Sequence, residues 1–146
     1  MSAFDFKLQK VLNVRNIQED IAQNEFVQAR QKEREMKSEL KSLKHTKKKT
    51  YDYIRNNSRS SIEETVQARK FLHLHKKKID KQKDRLLLQQ KKVAQKQEKM
   101  IEKQKKRKVL DKLKEEKYKK FYKNHLKSEQ KLLDEIAQRV EKERSV

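Results

Sequence analysis

The sequence contains no glycine, no proline, no cysteine and no tryptophan in 146 residues. Tight turns depend on glycine and proline, so we expect no sheet built from several hairpins. Without cysteine, neither a disulfide nor a thiolate metal site can form. Without glycine, the glycine-rich phosphate loops and the nucleophile elbow of hydrolases are excluded as well.

Apolar residues are also scarce, at 32%, whereas charged residues make up 44% of the chain. Globular domains usually contain about 45–50% apolar residues. Two classes remain, a disordered polyelectrolyte or long helices that pack along narrow apolar rows. The dominance of Lys, Glu, Gln, Leu, Arg and Ala favours helices, because these side chains lose little rotamer freedom there.

A first apolar row alternates steps of four and three residues, and nine of its fourteen positions are apolar. This spacing is typical of a coiled-coil seam, the row of residues with which one helix faces another. The positions are Leu8, Leu12, Arg15, Glu19, Ala22, Phe26, Ala29, Glu33, Met36, Leu40, Leu43, Lys47, Thr50 and Ile54.

A second apolar row recurs every seven residues from Leu72 to Met100. We predict that the alternate seam positions follow each apolar residue by four, and that a companion row widens the apolar stripe. Polar residues at alternate positions reduce stability, so we expect a modestly stable seam. The apolar row is Leu72, Ile79, Leu86, Val93 and Met100; the alternate positions are Lys76, Lys83, Gln90, Gln97 and Gln104; the companion row is Leu87, Ala94 and Ile101.

Turn-forming residues are concentrated between the two rows, in the segment 55–61. Asparagine there can end a helix without glycine. Ser60 or Ser61 can start the next helix, because Glu63 and Glu64 complete a capping box with either serine. We therefore predict a single domain with one helix at about 3–55, a turn at about 56–60 and a second helix at about 61–143.

This pattern predicts an all-α fold, two long helices in an antiparallel coiled-coil hairpin whose second helix is longer. Folding back near residue 58 would place Ile54 beside Ile62 and Leu8 near Lys108. The overhang is expected at about 110–146, where the apolar pattern changes phase. Its stripe requires a partner, because the hairpin itself cannot cover it. The stripe is Tyr122, Leu126, Glu129, Leu133, Ile136 and Val140.

Positive charge is concentrated at residues 76–108, which contribute +11 of the net +20. This band could be a solvated face, a site for an acidic protein, or a site for nucleic acid or anionic lipid. No module that reads nucleic-acid sequence is visible. We also expect no signal peptide and no membrane-spanning segment.

The residues suggest no catalytic centre, no metal site and no cofactor. The pair His73 and His75 would lie on different faces of a helix, so it does not make a ligand pair. The aromatic residues Tyr51, Tyr53 and Phe71 flank the turn. They would form a recognition surface or pack against one another to stiffen the hairpin end.

Three segments resemble the FliJ family of bacterial flagellar export proteins. The first runs from Phe4 to Leu12, with Arg15 shortly after it. The second is Phe71-Leu72 followed by Ile79 and Gln82. The third, which matches most strongly, is Glu129-Gln130-Lys131-Leu132-Leu133-Asp134-Glu135-Ile136-Ala137-Gln138-Arg139.

The resemblance implies a non-enzymatic stalk, similar to the central coiled coil of rotary ATP synthases, in the cytoplasm beside the inner membrane. It implies contacts with the hexameric export ATPase and its regulator, the export gate and export chaperones. The candidates for the ATPase ring are Tyr122, Leu126, Leu133, Ile136, Val140, Gln130, Asp134, Glu135 and Arg139. The candidates for the gate are Tyr51, Tyr53, Phe71, His75, Lys78 and Gln82.

Two alternatives remain open from the residues alone. The basic band favours a helical hairpin that binds nucleic acid, although the resemblance makes this partner less expected. The apolar rows are also compatible with a homodimeric scaffold, whereas the stalk hypothesis expects a monomer in isolation.

Overall fold

The computed structural model describes residues 3–57 and 61–145. Within these ranges the chain forms two helices and no strand. Helix α1, Gln9–Asn56, has 48 residues, and helix α2, Ile62–Arg144, has 83. The predicted all-α class and the longer second helix are confirmed.

The two helices pack in antiparallel directions within the unit Asp20–Ile101. His75 Nε2 lies 3.0 Å from the backbone oxygen of Leu43, and Gln89 Nε2 donates to Ala29 O over 2.9 Å. The later residue of α2, Gln89, therefore contacts the earlier residue of α1, Ala29, as antiparallel helices require. The hairpin is therefore confirmed.

The seam of α1 follows the predicted row. Thirteen of the fourteen positions are buried or half-buried, and Leu8, which precedes the helix, is exposed. Ala22 and Ala29 are the most enclosed of them in the unit Asp20–Ile101. Gln89 of α2 reaches the backbone oxygen of Ala29.

On α2 the apolar row is correct, but the alternate positions were predicted one residue too late. The buried polar residues are His75, Gln82 and Gln89, which follow Leu72, Ile79 and Leu86 by three residues. Of the predicted positions only Gln104 is half-buried; Lys76, Lys83, Gln90 and Gln97 are exposed, as are Leu87, Ala94 and Ile101 of the companion row. Hydrogen bonding to α1 explains which polar residues of α2 are buried, because the side chains of His75, Gln82 and Gln89 each reach a backbone oxygen of α1.

A second unit consists of the described residues up to Glu19 together with those from Glu102 onwards. Here the guanidinium of Arg107 donates to the carboxylates of Glu19 and Asp111. The predicted pairing of Leu8 with the neighbourhood of Lys108 stays a prediction, because a contact between two long side chains does not fix the register of the backbones.

The first helix starts at Gln9 and not near residue 3, because the preceding aromatics pack against α2. Phe6 is 4% exposed and its backbone oxygen accepts a bond from Gln9 N. The ring of Phe4 lies 5.3 Å from that of Tyr118 and 5.6 Å from that of Phe121.

The start of α2 is capped by Ser61, whose Oγ accepts a bond from Glu64 N over 3.3 Å. The alternative cap, Ser60, and residues 58–60 of the predicted turn lie outside the described residues. Asn56, which was also predicted to lie in the turn, still belongs to α1.

The projecting part of α2 is shorter than the predicted 110–146. Contacts of Phe4 extend to Phe121, and several residues between 110 and 125 are half-buried. Every described residue from 126 to 145 is exposed. The difference arises because the non-helical N-terminal residues cover part of α2 that a hairpin of two bare helices would leave open.

Candidate functional site

The described residues contain no group of three or more His, Cys, Asp or Glu side chains that could hold a metal ion. Across residues 3–57 and 61–145, neither helix has a stretch long and apolar enough to cross a membrane.

The apolar stripe of α2 is exposed along its whole length. Tyr122 is 53% exposed and Leu133 is 60% exposed, although side chains of this kind are usually covered. Steps of four and three residues place the members on one helix face. The other members are similarly accessible: Leu126, Ile136 and Val140.

The stripe begins beside the aromatic cluster that holds Phe4, and its first residue, Tyr122, shares a helix face with Tyr118 of that cluster. Tyr122 stacks on Tyr118 at 6.5 Å, and Tyr118 in turn meets Phe4 edge-on. Tyr122 and Leu126 each follow by one residue Phe121 and His125, the half-buried positions of this segment. One residue corresponds to about 100° around a helix, so Tyr122 and Leu126 are exposed where Phe121 and His125 are half-buried.

The polar members of the C-terminal signature lie beside the stripe. Gln130 Nε2 donates to Asp134 Oδ1 over 3.2 Å, which is a contact within one turn of helix. Glu135 and Arg139 are exposed. All nine residues predicted for the ATPase ring are therefore accessible on one segment of α2.

The predicted gate residues do not form one continuous surface. Tyr51 and Tyr53 are both about half exposed, but they are two residues apart and so point to different sides of α1. Phe71 is 46% exposed and stacks on His75 at 5.2 Å. Tyr51 instead lines a groove that reaches Lys83 across the seam.

His75 and Gln82 lie in the seam, where both are buried. Gln82 Nε2 donates to Met36 O and to a carboxylate oxygen of Glu39. His75 forms the floor beneath Phe71, so it positions that ring. A depression of about 300 Å³ lies beside this stack of rings. Its lining residues are Phe71, Leu74, His75, Lys77, Lys78 and Lys81.

Part of the basic band is neutralised by α1. Glu25 accepts a hydrogen bond from Lys96 over 3.1 Å, and Lys99 Nζ lies 3.7 Å from the same carboxylate. The hydrogen bond from Lys96, with the charges of Lys96 and Lys99, holds the pKa of Glu25 below its ordinary value of 4.5. Hydrogen bonds to Glu19 and Asp111 likewise raise the pKa of Arg107.

The lowered pKa of Glu25 predicts that this contact stabilises the hairpin at neutral pH and is lost in acid. A carboxylate whose pKa is lower when folded contributes above its ordinary pKa, and that contribution disappears as pH falls through the folded value. Thermal unfolding followed by circular dichroism should therefore show a smaller loss of melting temperature between pH 7 and about pH 3 in Glu25→Gln than in the parent chain. Glu98→Gln, which alters an exposed glutamate of α2, should behave as the parent chain; equal pH profiles for all three proteins would refute the prediction.

Several residues of these surfaces were missed by the sequence analysis. Phe4, Tyr118 and Phe121 form their cluster only because the residues before α1 are not helical. The signal that could have indicated this cluster is the presence of aromatic residues both before α1 and at 118–121 of α2. The lysines around Tyr51 were visible as a run, but their convergence with Lys83 depends on the register between the helices.

The fold and its exposed surfaces define a class of protein, the antiparallel helical hairpin whose longer helix carries an uncovered apolar stripe. The chain belongs to the family described as Flagellar FliJ protein, whose sequence model matches residues 4–144. It is therefore a component of the flagellar protein export apparatus, and the family is non-enzymatic. Comparison with curated proteins and with solved structures gave no significant match.

Proposed function

We propose that the chain acts as the stalk of the export apparatus, bound to the hexameric export ATPase. The stripe of α2 contacts the ATPase ring and, through it, the ATPase regulator. Asymmetric contact with successive subunits favours assembly of the ring and its ATP hydrolysis. In this proposal the chain is cytoplasmic and lies at the inner membrane.

The observation that carries this proposal is the exposed stripe from Tyr122 to Val140. Aromatic and aliphatic side chains on one helix face, in a chain with few apolar residues, mark a protein interaction site. Their coiled-coil spacing suits a partner that offers helices or a narrow apolar collar. The stripe residues are exposed while Phe4 packs on Tyr118, so binding to them requires no prior rearrangement of Phe4.

A second surface, near the turn, is proposed to contact the export gate and export chaperones. Phe71 supplies an aromatic anchor of the type that dominates binding energy, and Lys78 adds a flanking charge. His75 and Gln82 act indirectly, because they fix the ring of Phe71 and the seam beneath it. The chain is proposed to be a monomer in isolation.

Adding the purified chain to the export ATPase tests the proposal. We expect an increase in hexamer formation and in the rate of ATP hydrolysis. A chain that ends at His125 keeps the described hairpin contacts but lacks most of the stripe, so it should produce neither increase. No response to the complete chain, or an equal response to the shortened one, would contradict the proposal.

A further inference from the structure

A groove of about 350 Å³ lies between the two helices within the unit Asp20–Ile101. Its floor is Ile79, which is 5% exposed, and its rim includes the half-exposed ring of Tyr51. Lysines line both walls. Those of α1 are Lys44, Lys47 and Lys48, and that of α2 is Lys83.

The lining of this groove contains four ammonium groups and no carboxylate. Lys47 occupies a seam position, and its Nζ lies 5.9 Å from the centroid of the Tyr51 ring. Elsewhere in the same unit, Lys96 and Lys99 meet an acid of the other helix, Glu25. Here the like charges repel one another, so an anionic partner would relieve an unfavourable interaction.

We propose that this groove binds an acidic peptide segment of a partner protein, with its carboxylates on the lysines and one aliphatic or aromatic side chain against Tyr51. The inference rests on the proposed function in one respect, that this end of the hairpin contacts another protein. It adds the chemistry of that contact. It also separates Tyr51 from the surface around Phe71, which is lined by different residues.

Shape and composition favour a peptide over a lipid surface or free phosphate. The charges surround a concavity between two helices, which a flat bilayer would not fill. The aromatic rim and apolar floor would contribute nothing to the binding of inorganic phosphate, whereas they suit a side chain placed between acidic residues. The walls come from both helices, so the site exists only in the folded hairpin.

The direct test uses the full chain and a fluorescein-labelled peptide in which glutamates flank one leucine, with fluorescence anisotropy as the measurement. Reversing two exposed lysines, Lys44→Glu with Lys83→Glu, should weaken binding about tenfold, since each removes an ion pair and adds a repulsion. The same peptide with glutamine in place of glutamate should not bind. Circular dichroism confirms that each variant remains helical.

The matched control is Lys49→Glu with Lys91→Glu, which makes the same change in charge at exposed positions outside the groove. Its affinity should stay within about twofold of the parent chain, because screened charges at a distance contribute little. Equal weakening by both variants would overturn the inference, since it would show attraction to the net charge alone. Groove-dependent binding of polyphosphate or of phosphatidylglycerol vesicles, without binding of the peptide, would also overturn it.

The stimulation of the export ATPase separates the two hypotheses. Lys44→Glu with Lys83→Glu should leave that stimulation unchanged, because the stripe of α2 is intact. Loss of peptide binding together with normal stimulation supports the groove as a distinct site. Unaltered peptide binding in this variant overturns the inference and leaves the stalk proposal standing.

Discussion

A chain that carries Leu133→Asp and Ile136→Asp is expected to bind the export ATPase at least about a hundredfold more weakly than the parent chain. Both side chains are at least half exposed, so their replacement leaves the described contacts of the hairpin intact. Covering one such side chain contributes about 1.5–3 kcal/mol, and a charge in its place would have to be desolvated. Titration calorimetry with the assembled ring measures the loss, and the stimulation of ATP hydrolysis should fall with it.

A control must reproduce the added negative charge without touching the stripe. Asn124→Asp with Gln138→Asp adds two charges to exposed positions on the opposite side of the same segment. This control should bind and stimulate as the parent chain does. If it weakens binding as strongly as the variant of Leu133 and Ile136, the interaction depends on charge, and the assignment of the stripe to the ring is wrong.

The seam of α1 could be predicted almost completely because its burial follows hydrophobic periodicity. Leu12, Ala22 and Ala29 are buried, and even charged members of the row such as Glu19 and Glu33 are half-buried. Residues at coiled-coil spacing lie on one face of the helix. When that face packs against a partner helix, every residue of the row is covered, including the charged ones. The apolar row of α2 was predicted for the same reason.

The alternate positions of α2 could not be assigned in this way because neither choice was apolar. After Leu72, the candidates three and four residues on are His75 and Lys76, and hydrophobicity does not separate them. Hydrogen bonding does: His75 meets the backbone oxygen of Leu43, whereas Lys76 is exposed. Such a bond is visible only once the two helices and their register are known.

The candidate surfaces also differ in how far the sequence alone could predict them. The stripe from Tyr122 to Val140 lies on one helix, so its spacing alone identified it. The groove beside Tyr51 draws Lys83 from the other helix, so a linear pattern could not show that the charges converge. The ring contact between Phe4 and Tyr118 also joins distant parts of the chain. The sequence did not predict it, because a helix was expected from residue 3.

Replacing both buried glutamines of the seam, Gln82→Leu with Gln89→Leu, is expected to stabilise the hairpin by about 2 kcal/mol. The amides donate to Met36 O and Ala29 O, and these backbone oxygens belong to the continuous helix α1. Gln82 also donates to the carboxylate of Glu39, which is exposed, so water can replace that bond. Removal of the two amides therefore leaves no helix carbonyl without its helical bond, while apolar surface is buried instead. Thermal and urea unfolding followed by circular dichroism measure the gain.

The same substitutions are expected to reduce the specificity of the register, because polar side chains in a coiled-coil seam favour one alignment over others. The chain has no cysteine, so spin labels can be placed through Lys41→Cys and Lys77→Cys, both of which are exposed. The distance distribution between these labels should broaden in the leucine variant. A sharp, unchanged distribution would show that packing and ion pairs alone define the register.

Gln90→Leu with Gln97→Leu is the matched control, since it makes the same chemical change at exposed positions of α2. It should alter the free energy of unfolding by less than about 0.5 kcal/mol, as surface substitutions usually do. The comparison also decides between the two possible seams, because sequence periodicity had placed Gln90 and Gln97 at the interface. Stabilisation by the control and not by the variant of Gln82 and Gln89 would mean that α2 faces α1 with the other set of residues.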